Sequence, residues 1–148
     1  MRVIGLIPSR LNSTRLLSKA LLMIDDLPLI VHTMKRAQLA EVLDEVYVCT
    51  DSDKIAQAVE QHGGKFIMTS SEHVNGTERI AEAARDMKAN YIVDIQGDEP
   101  LIDPSHIDTV VREHSKHPDW DILIPSLPIS KPESPHIVKV VHDSKFRI

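Results

Sequence analysis

Two features of this 148-residue chain predict an α/β fold, a mostly parallel sheet with helices on both faces. Short apolar runs recur at residues 3–7, 45–50, 65–68, 91–95 and 122–126, and segments with helical spacing separate the first four. That alternation requires parallel strands joined by crossover helices. Hydrophobic residues make up 42% of the chain and charged residues 26%, enough apolar material for one core, so residues 1–148 are expected to form a single domain.

Taken in order, residues 3–7 read as a buried strand that breaks at Pro8 into SRLNSTRLLSK. A helix is predicted over 29–40, followed by the strand 45–50. Asp51 or Ser52 caps a helix over 52–62, which Gly63 and Gly64 stop before the strand 65–68. Thr77 with Glu78 opens a helix over 77–88, and Asp103 with Pro104 opens another over 104–117. After the run 122–126 comes a proline-rich segment, LPISKPESPH, and then a strand-like IVKVV with no helix behind it. The chain therefore reads as a piece of a longer protein.

Bulk charge removes several function classes. A net charge of −5 argues against a general nucleic-acid or membrane-surface binder, and 3% aromatic residues leave little for base-stacking platforms. The apolar start is too short for a secretory signal, and no run approaches a membrane span. Cys49 is the single cysteine; it allows no internal disulfide and lies in an apolar run that predicts a buried thiol, so a cytoplasmic location is expected.

Against that acidic background, the loop after the first strand stands out. Arg10, Arg15 and Lys19 lie among the hydroxyls of Ser9, Ser13, Thr14 and Ser18. Guanidinium forks and an ammonium beside hydroxyl donors suit a small phosphorylated ligand. A second signal is VDIQGDEPLI, residues 93–102, where a strand end carries Asp98 in position to hold Mg²⁺ and Gly97 would let backbone approach a ligand. GDEP is equally good turn composition. The third is GTERIAEA, residues 76–83: either Arg79 contacts a ligand at a helix N-terminus, or this is a capped amphipathic helix with Arg79 in solvent. In TDSDK, residues 50–54, either Thr50 and Asp51 border a ligand or Asp51 merely caps, and the segment reads as structural. The eight histidines show no HxH or HExxH spacing, so zinc is not expected. GxGxxG and GxxxxGK[ST] are both absent, which argues against dinucleotide oxidoreductases and P-loop NTPases.

Four segments in order, IPSRLNSTRLLSKALL, MTSSEHVNGTERIAEAA, VDIQGDEPLI and SPHIVKVV, resemble the 3-deoxy-manno-octulosonate cytidylyltransferases, the CMP-Kdo synthetases of lipopolysaccharide assembly. The resemblance implies a Rossmann-like nucleotidyltransferase that joins CTP to Kdo with Mg²⁺, giving CMP-Kdo and diphosphate. It assigns Arg10, Ser13, Arg15 and Lys19 to the CTP phosphates, Gln96 to the cytosine edge, Gly76, Glu78 and Arg79 to the nucleotide's border, and Asp98 to Mg²⁺. It also implies a homodimer. The family's C-terminal part, with much of the sugar site and a second Mg²⁺ carboxylate, is expected to be lacking. An 8-amino-Kdo or a sialic-acid relative is the alternative sugar, and a truncated CTP-binding or partner chain without turnover is the alternative role. Where the family reads RLPGKPL this chain reads RLLSKAL, with Leu17, Ser18 and Ala20 in place of proline, glycine and proline. Because Ser18 is small, the loop is expected to reshape rather than strain.

Overall fold

A computed structural model of the chain describes residues 1–11, 18–130, 133, 135 and 137–148. Strand β1 (Val3–Ser9) is followed by a 3₁₀ turn at Lys19–Leu21 and a two-residue antiparallel hairpin, β2 (Met23–Ile24) and β3 (Leu27–Pro28). Then come α1 (Leu29–Ala37), β4 (Glu45–Thr50), α2 (Asp53–Gln61), β5 (Lys65–Met68), α3 (Gly76–Ala84), β6 (Tyr91–Asp94) and α4 (Pro104–His114).

Strands β5, β4, β1 and β6 form one sheet in that order, and every pair in it is parallel. The chain therefore builds outward from β1 through β4 to β5, then returns to pair β6 with the other side of β1. Register places Ser9 beside Thr50 and Leu6 beside Asp94. Alternation along β1 divides the core between two faces. Ile7 joins Ile30, Val31 and Met34 of α1, Ile55 and Val59 of α2, and Ile107 of α4. Ile4 and Leu6 point the other way, with Cys49, onto Ile80 of α3. Helices thus cover both faces, as the alternating pattern requires. Each fully buried aliphatic side chain contributes roughly 1.5–3 kcal/mol. Burial also pushes the Cys49 thiol up to about 12. Among the described residues no helix is long and apolar enough to cross a membrane.

Several expectations are corrected. The helices stop one to four residues early, with frayed turns beyond them. Asn75, not Thr77 or Glu78, caps α3: its side chain accepts from Glu78 N at 2.8 Å while the Glu78 carboxylate returns to Val74 N at 3.1 Å. Ser52 occupies the cap position of α2 without a side-chain bond, and Asp51 turns elsewhere. Residues 122–126 form no strand, and neither do 137–141. An apolar run becomes a strand only through a ladder partner, and no described segment pairs with the outer side of β6. Ser18 takes the left-handed backbone itself, at φ 55° and ψ 30°, while residues 12–17 of the same loop lie outside the described residues.

A left-handed non-glycine residue costs roughly 1–2 kcal/mol, partly offset by glycine's larger unfolded-state freedom. Ser18→Gly is therefore expected to stabilise the chain by about 0.5–1 kcal/mol in urea denaturation, and an unchanged or lower midpoint would contradict this. At the other end of the sheet Glu45 accepts from Arg2 at 2.6 Å, Lys65 at 2.7 Å and the Tyr47 hydroxyl at 2.9 Å. Lys65 first and Arg2 second hold its carboxyl down to about 2, against an ordinary 4.5. A depressed acid stabilises above its unfolded pKa and loses that contribution as pH falls through the folded one. Glu45→Gln should melt below the parent at pH 7, and the gap should close between pH 4.5 and about 2; a pH-independent gap would mean the ion pairs are not its source.

Candidate active site

β1 is where the strand order reverses, so the connections leaving β1 and β6 diverge and leave a crevice at the carboxyl end of the sheet. A cavity of about 270 Å³ lies there. Arg10 and Lys19 reach it from the β1 side, Gly76 and Arg79 from the first turn of α3, and Gln96 and Asp98 from the turn after β6. Ser13 and Arg15 lie outside the described residues. Glu78 is not part of the lining; its carboxylate closes the start of α3. Pro8, Ser9, Ala20, Leu29, His73, Asn75 and Gly97 complete the wall.

Each wall is fixed by backbone geometry. Ser18 N donates to Leu11 O at 3.1 Å, tying together the two ends of the cationic loop and setting Lys19 at the head of the 3₁₀ turn. Gly97 lies against β1 so closely that a Cβ on it would stand 2.7 Å from the Pro8 carbonyl oxygen. The close approach its lack of a side chain permits is thus to the neighbouring strand, and any other residue would push the 96–98 turn outward. Thr33 of α1 supports this turn from below, its hydroxyl donating to Gly97 O at 3.2 Å. The GDEP segment is indeed a turn, with Glu99 N bonded to Gln96 O at 3.2 Å, and it also carries the site's carboxylate.

The Lys19 ammonium meets Asp98 Oδ2 at 2.6 Å across the cavity mouth, both side chains being substantially exposed. The Gln96 amide nitrogen donates to Asp94 at 3.3 Å. An ionised carboxylate only accepts, so Asp94 sets the amide orientation and leaves the Gln96 carbonyl oxygen for another donor. Partial burial raises the Asp94 carboxyl, and the Gln96 bond opposes that shift. Of the two readings of Arg79, the one that leaves it in solvent is overturned. Its side chain is 3% exposed and paired with Asp51 at 3.0 Å and with the Thr69 hydroxyl. Burial of this charge followed from the sheet, which brings the ends of β4 and β5 under α3.

Sequence reasoning missed His73 and Asn75. His73 bonds through Nε2 to Glu82, which also accepts from Ser70 N at 2.9 Å. These two contacts, His73 first, hold the Glu82 carboxyl below its ordinary value. The Asn-x-x-Glu spacing of residues 75–78 was a readable capping signal; nothing in the spacing of His73 marks it.

Asp98 is a hard oxygen donor of the kind Mg²⁺ prefers. Among the described residues no three His, Cys, Asp or Glu side chains are grouped to hold a metal. One carboxylate of this kind suits Mg²⁺ only as an ion that brings most of its oxygens with a phosphorylated ligand and its waters.

Comparison with known proteins identifies the family. The sequence profile of a family described as cytidylyltransferase matches residues 4–147. A 3-deoxy-manno-octulosonate cytidylyltransferase of Chlorobium phaeobacteroides (strain BS1) is 42% identical over 97% of this chain and 60% of its own length. An 8-amino-3,8-dideoxy-manno-octulosonate cytidylyltransferase of Shewanella piezotolerans (strain WP3 / JCM 13877) is 39% identical over 99% of this chain and 62% of its own. The solved structure of a CMP:2-keto-3-deoxy-manno-octonic acid synthetase complexed with CTP superposes with a TM-score of 0.78 at 37% identity, covering 80% of this chain and 49% of that one. The chain thus spans about 60% of the length of the curated relatives it matches. With its Rossmann-like sheet, its cavity at the strand-order reversal and a family profile running nearly end to end, this chain belongs to the cytidylyltransferase family.

Proposed function

We propose that this chain supplies the CTP-binding part of an enzyme that transfers CMP from CTP to 3-deoxy-manno-octulosonate, giving CMP-Kdo and diphosphate for lipopolysaccharide assembly. The observation that carries the reading is the convergence of Arg10, Lys19, Arg79, Gln96 and Asp98 on one cavity at the β1/β6 reversal. Arg10, Ser13, Arg15 and Lys19 take the phosphates. Gly76 and Arg79 border the nucleoside, with Glu78 holding the α3 turn that presents them. The Gln96 carbonyl oxygen, oriented by Asp94, suits the exocyclic amine of cytosine, which is a donor. Asp98 holds Mg²⁺, which, when bound, supplies charge neutralisation on the phosphates.

In this mechanism the sugar's anomeric oxygen forms a bond to the α-phosphorus as the bond from that phosphorus to the β-bridging oxygen breaks, and the hydroxyl proton is released. Arg10 and Lys19 hold the phosphates in line and stabilise the charge that accumulates on diphosphate. The protein contributes alignment and fixed positive charge, and no covalent intermediate is needed. The same reading includes a cytoplasmic homodimer. The near-equal likeness to the Kdo and 8-amino-Kdo relatives supports 8-amino-Kdo as the second sugar. CTP binding without turnover is the other reading.

Diphosphate release with CTP, Mg²⁺ and each sugar separates these readings. Release with Kdo alone supports the proposal, release with 8-amino-Kdo moves the substrate, and CTP-dependent thermal stabilisation without release leaves a binding chain. Lys19→Ala should lower turnover at least ~100-fold, the scale of losing one preorganised charge donor, with the melting temperature little changed because Lys19 is part-exposed; an unchanged rate rejects its phosphate role. In Asp98→Asn the dependence of CTP affinity on Mg²⁺ concentration should disappear, and a titration that keeps the parent's Mg²⁺ response removes Asp98 as the ligand.

A further inference from the structure

Arg79 poses a problem that the other cations of the cavity do not. Its side chain is 3% exposed, and a guanidinium withdrawn from water needs its charge and its N–H groups matched. Asp51, one residue beyond β4, accepts from Nη2 at 3.0 Å, and Thr69, one residue beyond β5, accepts from Nη1 through its hydroxyl. β4 and β5 are paired up to Thr50 and Met68, and Thr69 N continues the ladder to Thr50 O at 2.9 Å. Two adjacent strand ends thus grip the fork by its two terminal nitrogens. These contacts occupy two of a guanidinium's five N–H donors, and Arg79 is still part of the cavity lining. Asp51 is not, and it makes no capping bond to α2.

We propose that Asp51 is a positioning residue for nucleotide binding, acting through Arg79: it fixes the rotation of the buried guanidinium so that the remaining donors face the ligand. This rests on the nucleotide-binding reading of the cavity. A planar fork is directional, and one anchor would leave it free to swing about that bond; the second anchor removes the swing. The carboxylate at the end of β4 thereby belongs to the site although it touches no ligand.

The test is calorimetric titration of the whole chain with CTP and Mg²⁺, on the parent, Asp51→Asn, Arg79→Met and the double variant, with thermal melts alongside. Asp51→Asn is expected to weaken CTP binding about tenfold, the size of one charge-assisted hydrogen bond, and Arg79→Met at least as much. The double variant should bind like Arg79→Met alone, because Asp51 has nothing to position once the fork is gone. Losses that multiply in the double variant, or an Asp51→Asn affinity equal to the parent's, would overturn the inference. If Arg79→Met fails to fold, Thr69→Val takes its place: weaker binding with the melt unchanged supports the two-anchor clamp, and parent-like binding overturns it. A parent that binds no CTP defeats the cavity reading and this inference together, whereas a binding parent with an indifferent Asp51→Asn defeats the inference alone.

Discussion

The parallel pairing of β1 with β4 on one side and β6 on the other is the constraint on which the site depends. Because crossovers leave β1 in one direction and return on its far side, no connection can fill the space above its carboxyl end. The loop after β1, the turn after β6 and the first turn of α3 are all left facing that space. The fit is then tightened at one point, where Gly97 rests on the Pro8 carbonyl and Thr33 holds the same turn from α1. Removing the Thr33 bond would move Gln96 and Asp98 without touching a cavity-lining residue. The opposite face has a different role: Ile4, Leu6 and Cys49 seat Ile80, and so decide where the N-terminus of α3, with Gly76 and Arg79, arrives.

Much of this was legible because the buried strands are written as short apolar runs between turn residues. The bounds of β4 and β5 agree with the runs at 45–50 and 65–68 for that reason. The run at 122–126 has the same composition and no ladder, since composition reports what a segment can bury and not whether a neighbour exists. The cationic loop and the Gln96-to-Asp98 turn could be placed together because both end strands of a parallel sheet. The Asp51–Arg79 pair could not: 28 residues separate the partners, and only the lateral pairing of β4 with β5 makes them neighbours. The left-handed backbone of Ser18 was not legible, because side-chain size does not report the Ser18 N to Leu11 O bond or the 3₁₀ turn that follows it.

The ion pair between Lys19 and Asp98 has a consequence for how a charged ligand would be received. In the chain by itself each group serves as the other's counter-ion. A metal-loaded nucleotide carries both signs, so its arrival is an exchange of partners, with the ammonium passing to phosphate and the carboxylate to the cation, and not the discharge of a bare positive patch. Few small ions need be shed from Lys19 in such an exchange, because the protein itself had been supplying the opposite charge. Affinity governed by swapped partners of this kind varies with ionic strength far less than a count of the loop's cations would suggest.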